Sequence, residues 1–167
     1  MQKRTFTDQM GRVISLNYPP KRIISLVPSQ TELLFDLGLD EQVIGITKFC
    51  IHPKEKFKAK TKVGGTKKIN LEKIRGLKPD LIIGNKEENS QAQIEELMNE
   101  YPVWMSDISV LEDAFNMIEQ VGILTGHSEK AKLMASTIKS RFADLESIRA
   151  TNLKTAYFIW KDPYMLA

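Results

Sequence analysis

The sequence predicts an α/β protein: an N-terminal lobe with a mostly parallel sheet flanked by helices, then a long inter-lobe helix and the start of a second α/β lobe. Three observations predict it. Short, nearly continuous apolar runs alternate with amphipathic stretches over residues 22–125, joined by short polar connections. Residues 128–149 repeat Ala131, Met134, Ala135, Ile138, Phe142, Leu145 and Ile148 every three or four positions, which marks one face of a helix roughly 33 Å long. A last apolar run, Thr155 to Trp160, follows that helix with no sheet of its own, so it either joins the first sheet or, the favoured reading, opens a lobe that a longer chain completes.

Taken in order, Thr5 to Leu16 alternate around Asp8 and Gly11 as a leading hairpin, closed by Pro19 and Pro20. Arg22 to Val27 read as a strand buried on both faces, ended by Pro28. Ser29 with Glu32 forms a capping box for a helix that carries Leu33, Leu34 and Leu37 and stops at Gly38. Val43 to Ile46 make the next strand, and the lysine-rich stretch through Lys62 has no period and reads as loop. Asn70 caps a helix with Leu71, Ile74 and Leu77, which Pro79 ends, and Asp80 opens the strand Leu81 to Gly84. Further capping boxes, Ser90 with Gln93 and Ser109 with Glu112, open two more helices on either side of the strand Val103 to Met105. Ser128 caps the long helix and Asn152 stops it. The predicted divisions are a hairpin over 1–21, an α/β lobe over 22–127, the connecting helix over 128–150, and over 151–167 the first strand of a truncated C-terminal lobe.

Composition narrows the function. With 167 residues and 42% hydrophobic content, one good core can be buried. The 24 Lys and Arg against 21 Asp and Glu are scattered, not grouped with aromatics, so no nucleic-acid surface is indicated. The single Cys50 excludes an intramolecular disulfide, and no apolar run reaches membrane-spanning length. The start, residues 1–10, is polar, unlike a signal peptide, which leaves a cytoplasmic location open.

In an open parallel sheet, ligands bind beyond the carboxyl ends of the strands. Four segments fall there: Pro28, Ser29 and Gln30; Phe49, Cys50 and His52; Gly64, Gly65, Thr66 and Lys67; and Asn85, Lys86, Glu87, Glu88 and Asn89. Each taken alone is also what the capped turns of any such fold would show. Catalytic signatures are missing: no G-x-G-x-x-G, no G-x-S-x-G, and no earlier glycine that would turn Gly64 to Lys67 into a phosphate loop. Cys50 and His52 stand two apart and are not expected to pair directly as nucleophile and base. With His127 as the only other histidine, a closed zinc site lacks ligands and no resident metal or cofactor is expected, which leaves open only a single axial bond from Cys50 or His52 to a metal already held by a chelator.

The run from Arg22 to Leu33 with Leu37 and Gly38, then Val63 to Thr66, then Leu71, Glu72, Ile74, Leu77 and Lys78 to Ile82 resembles the helical-backbone metal receptor group. These are substrate-binding proteins of ABC importers for cobalamin, ferric siderophores and haem. Phe-Cys-x-His-Pro, Gly-Gly-Thr-Lys and Asn-Lys-Glu-Glu-Asn are most similar to the cobalamin-binding branch. The resemblance implies two lobes on one rigid helix, little hinge closure, and a metal chelate held in the cleft. It implies that Pro28, Ser29, Gln30, Phe49, Cys50, His52, Gly65, Thr66, Lys67 and residues 85–88 lie at that cleft, and that Glu72 meets arginines of an importer permease. It further implies a monomer in the periplasm or another extracytoplasmic space, with no catalytic residues. Two other readings stand beside it: a chelatase-like enzyme using His52 with Glu87 or Glu88, and a cytoplasmic interaction module that has lost its ligand.

Overall fold

The computed structural model describes residues 2–146, Lys154 and residues 156–166. Two strands open the chain, β1 (Gln2–Thr7) and β2 (Val13–Tyr18), paired antiparallel as the hairpin the alternation predicts. Its turn does more than reverse the chain. The buried Asp8 carboxylate accepts from the backbone of Met10 and Arg12 and pairs with the Arg12 guanidinium at 2.7 Å.

The chain then alternates through β3 (Ile23–Ser25), α1 (Pro28–Leu37), β4 (Val43–Ile46), α2 (Lys54–Ala59), β5 (Thr61–Lys62), α3 (Leu71–Leu77), β6 (Leu81–Asn85), α4 (Gln91–Met98), β7 (Val103–Ser106) and α5 (Leu111–Thr125). The five strands β3 to β7 form one sheet in the order β5-β4-β3-β6-β7, all parallel. The Asp8–Gln9 turn of the hairpin seats on the edge strand β7, where the Gln9 N–H donates to the Met105 carbonyl at 3.2 Å. Ile24, Ile82, Val103 and Met105 pack with Ile74, Ile94 and Leu97 of α3 and α4 in one core cluster. By strand alternation Ile23, Leu81, Ile83 and Trp104 face the other way. Helices α1 and α5, which contact one another, belong to that second side.

The sheet order fixes where a site can be. The chain leaves β3 toward β4 and β5, then returns to lay β6 and β7 on the other flank, so the order reverses between β3 and β6. Helices leave opposite ways on either side of such a reversal and open a crevice at the carboxyl ends. The opposite end is closed: Asp80 accepts from the backbone of Lys21 and Arg22 at 2.8 Å, and the Arg22 guanidinium caps the end of α3 through Leu77 and Lys78 carbonyls.

Several local expectations need correction. Pro28 does not stand outside its helix; it opens α1, which moves the N-cap back to Val27, a residue with no side-chain acceptor, so no side chain caps the helix. Gln93 does not close a box on Ser90. It makes a pair of hydrogen bonds with the Ile69 backbone, and Ser90 caps α4 without a side-chain bond. The α5 box closes through Asp113, not Glu112, with its carboxylate accepting from Ser109 and Val110 at 2.9 and 3.0 Å. The lysine-rich stretch read as loop contains α2 and the short edge strand β5. Asn70 behaves as expected, accepting from Lys73 N at 2.9 Å.

Gly126, at φ +83°, ends α5 in a Schellman-type turn, with His127 N donating to Gly122 O and Gly126 N to Ile123 O. Helix α6 (Ser128–Glu146) follows at once, beginning at Ser128 itself. Its residues Ala131 and Ala135 are buried, and a Cβ on Gly122 would lie 2.2 Å from that of Ala131, so the bare glycine lets α5 and α6 meet backbone to backbone. The chain divides into two compact units, residues 1–136 and 137–167. The expected continuation of the helix through Ile148 and Arg149, its stop at Asn152 and the strand start at Thr155 lie outside the described residues. In the second unit the expected single strand is a hairpin, β8 (Phe158–Lys161) with β9 (Tyr164–Leu166). Among the described residues no helix is long and apolar enough to cross a membrane.

Candidate functional site

Polar residues at the carboxyl ends of the strands join into one network. The β3 strand ends at Ser25, whose hydroxyl accepts from Thr31 in the first turns of α1 at 2.7 Å. One turn position earlier, Gln30 is 1% exposed and donates to the Ser106 hydroxyl at the end of β7. Asn85, at the end of β6, donates to the same hydroxyl at 2.9 Å and accepts the Glu87 and Glu88 backbone N–H groups at 2.9 and 3.0 Å. Gln30 Oε1 is buried and is without a partner among the described residues.

Asn89 ties the loops themselves. Its Oδ1 accepts from Asn85 N at 2.8 Å, and its Nδ2 donates to the Leu26 carbonyl at 3.3 Å and the Thr66 carbonyl at 3.1 Å. One buried side chain therefore holds the loops after β3, β5 and β6. The loops after β4 and β5 are joined by Lys48 N donating to Gly64 O at 2.8 Å, and those after β5 and β6 by Lys67 Nζ donating to the Glu87 carbonyl. Gly64 takes φ +111°, where a Cβ would sit 2.6 Å from Lys68 O, so this turn needs glycine.

The structure brings the four predicted segments together but gives their residues different tasks. Ser29, Phe49, His52, Lys67, Lys86, Glu87 and Glu88 are exposed, with Pro28 partly covered at the start of α1. Gln30, Thr66 and Asn85 are buried in the supporting network. Cys50 does not line the open side: it is 1% exposed, with Sγ 3.1 Å from both the Thr31 and Thr47 hydroxyls. A buried thiol and an exposed imidazole are thus separated not by strand alternation, which would put residues two apart on one face, but by the turn in which Cys50 N donates to Thr47 O and Ile51 N to Phe49 O. His127 sits apart, in the α5–α6 turn, with Nδ1 3.0 Å from Thr125 O.

Between the loops after β4 and β5 lies a groove of roughly 750 Å³. Phe49 and the backbone of Gly65 and Thr66 line it, with Lys48, Lys67 and Lys68 around them. On the neighbouring loop the Asp107 carboxylate lies 2.7 Å from Lys86 and holds that ammonium above its usual range. No group of three His, Cys, Asp or Glu gathers to hold a metal among the described residues. The chemistry on offer is hydrogen bonding, stacking and charge.

Glu72 lies on α3, exposed, 2.7 Å from Arg75. The same guanidinium reaches Glu96 at 2.7 Å and Glu100 at 2.6 Å, which links α3 to α4 and the turn after it. Glu100 is held below the usual carboxylate range by that contact.

Sequence reasoning placed Asn89 in the fourth segment without a role of its own, and passed over Ser106, Thr31, Thr47, Lys48 and Lys68 as site residues. Ser106 carried the signal that found Asn85, a polar residue ending an apolar strand. Asn89 carried none, because its work is done on carbonyls far away in the chain.

The family model described as periplasmic binding protein matches residues 23–164. A vitamin B12-binding protein of Pectobacterium atrosepticum is 34% identical over 128 residues, 76% of this chain and 46% of its own length. The uncharacterized ABC transporter substrate-binding lipoprotein YvrC of Bacillus subtilis is 31% identical over 146 residues, 85% of this chain and 46% of its own. Among solved structures, the periplasmic vitamin B12 binding protein BtuF of Vibrio cholerae superposes with a TM-score of 0.78 at 27% identity, over 87% of this chain and 58% of that one. The chain spans about half the length of the curated relatives it matches.

Proposed function

We propose that this chain, which belongs to the periplasmic binding protein family, forms one wall of the cleft in a substrate-binding protein of an ABC importer. The cargo is a metal chelate: a cobalamin-like corrinoid, a ferric siderophore or haem. The observation that carries the reading is the Asn89 clasp. Loops from three strands are locked at the crevice of a parallel sheet by one buried amide, which makes a rigid, preorganised surface. A rigid wall suits a receptor that holds its cargo by contacts to the chelate and releases it unchanged. Phe49, Lys67 and the loop of Lys86 to Glu88 supply those contacts, while Gln30, Thr66 and Asn85 position them from beneath.

The rest of the functional picture follows from the same reading. The protein works outside the cytoplasm as a monomer, residues 151–167 begin a second lobe that carries the facing wall, and α6 is the strut between. Glu72, exposed at the start of α3, meets basic residues of the permease. The relatives are named as binding proteins, and neither the chelatase nor the ligand-free module gains an observation of its own.

Isothermal titration of the chain with cyanocobalamin, haemin and a ferric siderophore tests the proposal, with the resonances of residues 64–67 and 85–89 followed in parallel. Binding of at least one chelate with shifts confined to those loops is expected. No heat and no shift with any of the three would overturn it.

A further inference from the structure

The groove between the loops after β4 and β5 gathers three lysines around one aromatic ring. Several cations on other surfaces face carboxylates, as Lys56 does Asp40, Lys86 Asp107, Arg12 Asp8 and Arg75 three glutamates. Around the groove stand Lys48, Lys67 and Lys68, and no Asp or Glu is among its lining residues. Among the described residues, no carboxylate lies within ion-pair distance of any of these three ammonium groups. Lys67 Nζ donates to the Glu87 carbonyl, and Lys48 Nζ lies 5.0 Å over the Phe49 ring. A carbonyl dipole and a ring quadrupole carry only partial negative charge, so the three positive charges stay uncompensated.

An aromatic surface lies among those charges. Phe49 is 51% exposed, and its Cε2 would be 3.2 Å from a Cβ on Gly65, so the ring rests on bare glycine backbone with no side chain between. A half-exposed ring beside three unpaired ammonium groups matches a flat, conjugated molecule with acidic substituents. Glu87 and Glu88, exposed on the next loop, oppose that field only from outside the groove lining.

We infer that this groove binds the acidic edge of the chelate: the conjugated part packs on Phe49 and an oxyanion, carboxylate or phosphodiester, sits among Lys48, Lys67 and Lys68. This deepens the metal-chelate reading above and rests on it.

The test is a titration of the intact chain with four probes, followed by the amide resonances of residues 64–68 and by calorimetry. Haemin offers carboxylates, cyanocobalamin a phosphodiester, dicyanocobinamide the same corrin without that phosphodiester, and inorganic phosphate an oxyanion alone. The acid-bearing chelates are expected to shift these amides. Their affinity should drop roughly tenfold in the Lys48→Gln, Lys67→Gln, Lys68→Gln triple variant, as three exposed charge contacts predict. It should also fall as ionic strength rises well above about 0.15 M, where the screening length is ~8 Å. The matching triple Lys→Arg variant should keep wild-type affinity, which separates charge from folding, and cobinamide should be indifferent to both variants. A charge-dependent response to haemin alone assigns the groove to carboxylates, and to cyanocobalamin alone to a phosphodiester; either supports the inference. Chelate binding that ignores both salt and the glutamine variant overturns it while the metal-chelate reading stands. Shifts with inorganic phosphate but with no chelate overturn it as well, and no binding by any chelate removes the reading on which it rests.

Discussion

At the scale of single residues, the crevice depends on Asn89 more than on any group that faces solvent. Replacing it with Ala leaves Asn85 N without its acceptor and the Leu26 and Thr66 carbonyls without their donor, all in a buried setting. Leaving buried polar groups unpaired costs about 1–3 kcal/mol each before water relaxes the site, so Asn89→Ala should lose about 2–3 kcal/mol in urea unfolding. Asn99→Ala, at an exposed helix end, should stay within about 0.5 kcal/mol. Equal losses in the two variants would show that the clasp does not hold the loops. Residue-level reading of the sequence succeeded where the partner is local, as with Asn70 and Lys73; Cys50 and His52 do part company, but through a turn and not through strand alternation. It failed where a cap competes with something distant: Gln93 is consumed by Ile69, and the Ser29 box is pre-empted by Pro28 entering the helix.

Elements show the same division between local and remote causes. Strands β3, β4, β6 and β7 were legible because burial on both faces demands unbroken apolar runs, and the short edge strand β5 was not; α1 and α3 were legible because their ends carry Gly38, Asn70 and Pro79. Helix α2 was not, since none of its six residues is buried and no apolar period exists to find. Nor was the seating of the hairpin turn on β7, which rests on Gln9 reaching Met105, Asp107 and Asp113 about a hundred residues away. Helix α5 yields a prediction at this scale. Asp113 accepts from Ser109 and Val110 N–H groups, which favours its ionised form and sets its pKa below the ordinary aspartate range. A carboxylate whose folded pKa is depressed stabilises the fold fully above its unfolded value, about 3.9, and loses that contribution as pH falls through the folded value. Asp113→Asn should therefore lower thermal stability at neutral pH, with the gap to wild type closing in strongly acidic solution. A gap independent of pH would show that the cap does not act through charge.

For the whole molecule, the two tryptophans report on the two units separately. Trp104 lies in β7 at 1% exposure within the sheet core, and Trp160 lies in the β8–β9 hairpin at 63%. That hairpin also exposes Phe158, Ile159, Tyr164, Met165 and Leu166, with Tyr157 exposed just before it, and a two-stranded hairpin with apolar residues open lacks the third strand or packed helix that normally sustains one. The sequence reading of a lone strand awaiting a sheet came from that apolar run; it missed the second strand because Tyr164 to Leu166 is too short to show a period. If these residues begin a second lobe, their apolar surface is the part that a longer chain covers. In this chain Trp160 should emit to the red and be quenched freely by iodide, whereas a Trp160→Phe variant should show the blue, weakly quenched emission of Trp104 alone. Extending the chain to the length of its relatives should shift Trp160 to the blue and protect it, leaving Trp104 unchanged. A Trp160 still fully quenched in the extended protein would mean that the hairpin is not the start of a lobe, and the facing wall of the cleft would then have to come from elsewhere.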